Sequence, residues 1–157
     1  MPKTLLHRYT ASPQAFPVLA SLYPPLLGSG IRIRRVAPDW TSGELSVHVA
    51  PWTANTNGTA FGGALFAATD VLYGALLAGQ LGGRYQVWTK SATIDFHTPG
   101  RGRMHCTVEV PHTEADALRA TLAERTATSV LHTARVIDAR GKTVAEARHT
   151  MSVRRRD

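Results

Sequence analysis

The segment Asn55-Thr56-Asn57-Gly58-Thr59-Ala60-Phe61-Gly62-Gly63 leads into an apolar stretch, Ala60 to Gly79, whose only formal charge is Asp70. That spacing suits two kinds of chemistry. Gly62 and Gly63 open a helix, and the first amides of a helix lack intrahelical acceptors and carry partial positive charge. Without side chains, the glycines let a ligand oxygen come close. Such amides are suited to gripping an oxyanion or polarising a carbonyl. Asp70 lies two turns further along. A carboxylate in an apolar helix needs a partner or takes a raised pKa, and a poised carboxylate serves as general base or nucleophile. Spacing alone leaves an alternative: a helix start chosen for packing, with an aspartate facing water.

Other constellations carry less. Gly141-Lys142-Thr143 looks like the end of a phosphate-binding loop, but the glycine needed five positions earlier is Val136, and the setting is a hairpin. His105 and Cys106 are strand neighbours and face opposite sides. The seven histidines form no His-x-His or His-x-x-x-His pair, and no acidic residue stands at ligand spacing, so no metal site is expected. Cys106 is the only cysteine. It excludes an intrachain disulfide, and a reducing cytoplasm is the expected compartment.

The elements that must position these residues follow from periodicity. Residues 11–27 read as short, broken helix, with Ser12 as cap, Pro13 at the first helical position, and Phe16, Leu19, Ala20 and Tyr23 on one face. Ile31 to Val36 and Glu44 to Ala50 alternate as half-buried strands. A long helix spans about Gly62 to Gly79 and ends at Gly82-Gly83. Gln86 to Thr98 is a strand with Trp88, Ala92, Ile94 and Phe96 on one face and Thr89, Ser91, Thr93, Asp95 and His97 on the other. Pro99-Gly100-Arg101-Gly102 marks a hairpin turn. Arg103 to Val110 returns as strand. A second helix begins at Thr113, with Thr113 and Asp116 as an approximate capping box and Leu118 and Leu122 as its stripe. Thr128 to Asp138 and Lys142 to Val153 are further strands, with Ala145, Ala147, Met151 and Val153 sharing a face. Paired strands with tight turns favour an antiparallel sheet, and one apolar helix against it is an α+β layer arrangement. A helix apolar all round requires the sheet to wrap it.

Length and charge bound the rest. The 157 residues predict a single domain over 1–157, residues 1–30 forming a short helical cap. Eighteen Lys+Arg against eleven Asp+Glu leave +7, and fifteen of the eighteen are Arg. That excess suits an anionic partner: nucleic acid, a membrane surface or a phosphorylated small molecule. Arg154-Arg155-Arg156 reads as a solvated tail. No zinc-finger, aromatic RNA-platform or basic-zipper pattern accompanies the charge. Met1 to Ala20 holds no apolar run of signal length. Ala60 to Gly79 is long enough to span a bilayer, but Asp70 at its centre costs roughly 2.5–3.5 kcal/mol there, so a buried core helix is expected instead.

Asn55, Gly58-Thr59, Phe61-Gly62-Gly63 and Asp70 together resemble the signature of hotdog-fold acyl-CoA thioesterases of the phenylacetate-pathway type. That signature has Asn, a short gap, Gly-Thr, one residue, His-Gly-Gly, then an acidic residue nine positions after the His. Residues 87–102 resemble an uncharacterised subset of the same superfamily. The resemblance covers roughly residues 30 to 153. It implies an antiparallel sheet of about six strands around one long helix, and a thioester hydrolase acting at a dimer interface in a homodimer or dimer of dimers. Asp70 would be base or nucleophile, the Gly62 amide would polarise the carbonyl, Asn55 would hold the lytic water or orient substrate, and Thr89 would assist the water. Gly63 and Asn57 would line the substrate site. No cofactor is implied beyond the coenzyme A of the substrate, whose phosphates would suit Arg101, Arg103 or the C-terminal arginines.

This chain departs from the pattern at Phe61, which stands where the family has His. The departure removes an imidazole hydrogen bond but no backbone amide. Phe61 would wall an acyl tunnel or staple the helix start against Leu65. A non-catalytic acyl-thioester binder is therefore the alternative to an enzyme, with a basic RNA-binding protein a third reading. Lys90 falls on the Trp88/Ala92 face by strict alternation and would contact Asp70. Thr89 points away from that face unless a bulge intervenes.

Overall fold

The computed structural model describes residues 12–156. The first half of the Met1–Ala20 segment read above for a signal lies outside those residues. Two short helices, α1 (Phe16–Ser21) and α2 (Pro24–Gly28), precede strands β1 (Ile31–Val36) and β2 (Ser42–His48). The long helix α3 (Gly62–Leu81) follows, then β3 (Tyr85–Phe96), β4 (Arg103–Glu109), helix α4 (His112–Glu124), β5 (Ala127–Asp138) and β6 (Thr143–Arg155). All six strands form one antiparallel sheet in the order β1-β2-β4-β5-β6-β3. This is the expected α+β arrangement.

Alternation explains the core. Ile31 and Ile33, Leu45 and Val47, Met104, Cys106 and Val108, Ala134 and Val136, and Ala145, Ala147, Met151 and Val153 are all buried. Across them lies α3, which buries Ala64, Leu65, Ala68, Thr69, Leu72, Tyr73, Leu76 and Leu77 at helical spacing. Gly62–Leu81 has the length and apolarity of a bilayer span; in this fold it is the core helix, packed against every strand of the sheet. The sheet nonetheless covers one side only. Phe66, Ala67, Asp70, Val71, Gly74 and Ala75 form a half-exposed row on the other. The expected six-stranded sheet around one long helix is what forms, with one side of the helix left half-exposed.

Several local expectations change. In α1, Phe16, Ala20 and Ser21 are buried while Leu19 and Tyr23 are exposed. Ser12 Oγ does accept from the Ala15 amide at 3.3 Å, but Pro17, not Pro13, occupies the first turn. Helix α4 starts at His112 with Pro111 as an uncapped N-cap, and Asp116 pairs with Arg119 instead of closing a capping box. The arginine triplet is no loose tail. Arg154 and Arg155 belong to β6, and the Arg156 amide donates to the Arg84 carbonyl at 2.8 Å.

Strand β3 carries the change that matters most. Its register with β6 pairs Thr89 with Met151 and Ser91 with Thr150, leaving Lys90 as the extra residue of a bulge. Alternation restarts there. Val87 and Thr89 face the helix before the bulge, and Ala92 and Ile94 face it afterwards. Trp88 is turned outward, 61% exposed, contrary to unbroken alternation.

Candidate functional site

Two groups of residues gather along α3, one at its N-terminus and one near its middle. The first surrounds its N-terminus. Residues 55–60 form a tight loop organised by one side chain. Asn55 Oδ1 accepts from the amides of Asn57 (2.9 Å) and Thr59 (3.1 Å). Its Nδ2 donates to Thr59 Oγ1 (2.9 Å) and the Ala60 carbonyl (3.3 Å). Gly58 sits in the loop at φ 68°, a left-handed conformation that favours glycine. Arg101 braces it from outside, donating to the Gly58 carbonyl at 3.3 Å. Phe61 is the N-cap and offers no side-chain cap. The Gly62 and Gly63 amides find no acceptor among the described residues.

A cleft of about 350 Å³ opens at this end, lined by Asn55, Thr59, Gly62, Leu65, Phe96 and the 97–100 turn, among others. Phe96 is its apolar wall, its ring edge lying where a Cβ on Gly62 would come to 3.2 Å. Phe61 is not part of the lining. Its ring lies over Gly63 and is 59% exposed. Asn57 is exposed on the loop, and Arg103 is exposed at the start of β4 beside His48.

The second group lies two turns along α3. The bulge brings Thr89 to Asp70, and its hydroxyl donates to Asp70 Oδ1 at 2.5 Å. The Asp70 side chain is 38% exposed, and Nδ1 of the buried His149 lies 3.4 Å from the same oxygen. No ion pair joins Lys90 to Asp70 among the described residues; as the bulge residue, Lys90 projects into solvent. Asp70 does not line the cleft beside Gly62. Eight residues of helix separate them by about 12 Å along the axis.

His149 was absent from the sequence reading, although the signal was there. Ala145, Ala147, Met151 and Val153 face the helix, and period two puts residue 149 in that row. Its cross-strand partner His132 was missed for the same reason. His132 stacks on Tyr73 with ring centroids 4.0 Å apart and lies 6.5 Å from the His149 ring. Tyr73 in turn donates to Glu114 of α4. Burial, and then the Glu114 carboxylate, push the Tyr73 phenol far above its usual range. Burial pushes the Cys106 thiol up to about 12, so it is inert packing.

Burial lowers both histidines below their usual range. His132 falls to about 4, helped by His149, and His149 is lowered against the opposing pull of Asp70. Both are neutral at pH 7. The unfolded chain takes up these protons near pH 6.5 and the folded chain only lower, so stability is present above pH 6.5 and is lost as pH falls towards about 4. The loss is on the order of 2 kcal/mol. The urea midpoint should therefore fall between pH 7 and 4.5, and fall less in His132→Gln. Equal midpoints at both pH values would contradict the burial of these rings.

Comparison with known proteins fits this arrangement. The profile of a domain of unknown function, DUF4442, matches residues 13–153. No curated protein matches the chain by sequence. Among solved structures, a Pseudomonas aeruginosa protein of unknown function described as a probable thioesterase superposes with a TM-score of 0.80 at 22% identity, covering 89% of this chain and 93% of that one. The Escherichia coli PaaI protein of the phenylacetic acid degradation operon gives 0.62 at 18% identity, covering 89% of each. A thioesterase from Haemophilus influenzae gives 0.68 at 14%, covering 92% and 91%. At these identities the likeness shows the fold, which is the hotdog: one long helix against a six-stranded antiparallel sheet.

Proposed function

The chain belongs to the DUF4442 family, and from that premise we propose that it hydrolyses an acyl thioester, most simply an acyl-CoA, at a site shared between two copies. The observation that carries this reading is the carboxylate of Asp70 held by the Thr89 hydroxyl on an otherwise apolar, half-exposed helix face. Thr89 donates to one lone pair of Oδ1, and the carboxylate takes a proton from water. The open amides of Gly62 and Gly63 beside the cleft supply carbonyl polarisation. Water attacks the thioester carbon, the C–S bond breaks, and the proton held by Asp70 passes to the departing sulfur.

The 12 Å between Gly62 and Asp70 exceeds the reach of one carbonyl. A two-fold axis that sets two α3 helices antiparallel brings Gly62 of one copy to Asp70 of the other. The half-exposed apolar row on α3 and the unpaired outer edge of β3 supply the surface for that contact. Asn55 shapes the loop and does not grip water, since both its amide hydrogens are engaged. No metal or cofactor is needed, and a reducing cytoplasm suits the single buried thiol of Cys106.

The test is thiol release across acyl-CoA chain lengths, followed by mixing Asp70→Asn with Gly62→Val chains. A shared site predicts that mixtures of the two inactive variants recover about one quarter of wild-type activity, because half the dimers then hold one intact site. No recovery places the site within one chain. Phe61 in place of an imidazole favours a second reading, a thioester binder without turnover; tight acyl-CoA binding with no thiol released would select it.

A further inference from the structure

We propose that His149 is a positioning residue for Asp70, its Nδ1 lone pair held against the carboxylate so that Asp70 is primed to take a proton and share it with the ring. The inference rests on the hydrolase reading and adds a residue that the signature does not contain.

The argument begins at Thr69. Its hydroxyl has one proton, donated to the Phe66 carbonyl at 2.7 Å within α3. Towards the sheet it can only accept. Nε2 of His149 lies 3.1 Å from that oxygen. Nε2 therefore carries the ring proton, and a neutral ring leaves Nδ1 bare. Nδ1 has no hydrogen-bond partner and faces Asp70 Oδ1 at 3.4 Å. Two acceptors thus oppose each other across a gap the size of a hydrogen bond, inside a site where His149 is 1% exposed.

That opposition has a direction. It disfavours the bare carboxylate and favours any state in which a proton lies between the two atoms. The proton drawn from water as its oxygen bonds to the thioester carbon supplies it. The proton leaves for sulfur when the C–S bond breaks, so the pair starts and ends empty. The charged and titratable groups facing the ring are few. Asp70 faces it from α3 and His132 from β5, with Tyr73 and Glu114 beyond His132. Across β3 the register partner is Ala92, and the remaining neighbour is the Phe66 ring at 5.7 Å. Among the described residues, no Lys or Arg forms an ion pair with Asp70.

The tautomer of His149 is the test. Long-range 1H–15N spectra of the full chain at about pH 7.5 should show the proton on Nε2. In Thr69→Val the anchoring oxygen is gone, and the proton should move to Nδ1 and bond Asp70. kcat should then fall with KM unchanged, because the Nδ1 proton occupies the carboxylate oxygen that faces the ring. His149→Gln keeps an amide for Thr69 but removes the opposed lone pair, and should lower kcat about tenfold at constant KM. A wild-type ring protonated on Nδ1 or on both nitrogens overturns the proposal. So does an unchanged tautomer in Thr69→Val, or an unchanged kcat in His149→Gln. If the wild type releases no thiol from any acyl-CoA, the hydrolase reading fails on its own, and the spectra still decide the pairing.

Discussion

Asp70→Asn should reduce kcat/KM for acyl-CoA hydrolysis by about 10²- to 10⁴-fold, the contribution of a positioned general base. The substitution keeps shape and volume. Its amide oxygen still accepts the Thr89 hydroxyl, as Oδ1 does now at 2.5 Å. Its nitrogen takes the place of Oδ2, and the contact of the Oδ1 position with Nδ1 of His149 is kept. The variant should therefore fold as stably as the wild type, with its thermal midpoint level. Loss of rate with retained stability separates a chemical role from a structural one. Turnover within twofold of wild type would remove Asp70 from the reaction.

Gly79→Ala should destabilise the chain by about 2 kcal/mol, lowering the melting temperature by roughly 4–8 °C at this chain length. Helix propensity alone predicts the reverse, because Ala is favoured over Gly by about 1 kcal/mol within a helix. Packing outweighs propensity here. A Cβ at residue 79 would lie 2.7 Å from Trp40 Cε2 and closer still to Cγ and Cδ2. The indole cannot retreat. It is 7% exposed, packs edge-on to Phe16 at 5.6 Å, and its carbonyl accepts from Gln80 at 3.1 Å. Trp40 also stands at φ 63°, an uncommon conformation for a bulky residue. Calorimetry decides the sign. A raised melting temperature would mean that the ring relaxes freely, which the packing forbids.

Much of this was legible in the sequence because period-two and period-3.6 patterns are strong along most of the chain. All six strands and both longer helices come out within a few residues of their observed bounds. Gly62 and Asn55, which the resemblance grouped, both line one cleft. What failed to show has identifiable causes. A bulge costs one residue and leaves no compositional mark, so the facing of Trp88, Thr89 and Lys90 could not be fixed beforehand. His132 and His149 sit in rows that read as apolar, so no motif or charge marks them out. The half-exposed side of α3 is as apolar as the buried side, so hydropathy could not reveal which side the sheet leaves bare.

The Lys90 bulge makes the chemistry of β3 a matter of parity. Before it, odd-numbered residues point to the interior; after it, even-numbered ones do. Deleting that single residue, with the pairing on both sides kept, would restore unbroken alternation and leave Thr89, Ala92 and Ile94 all facing the helix. A relative that lacks the extra residue would then carry its hydroxyl two positions before the residue matching Ala92 instead of three, and still reach the same carboxylate. The hydroxyl can therefore change its place in the chain without changing its place in space.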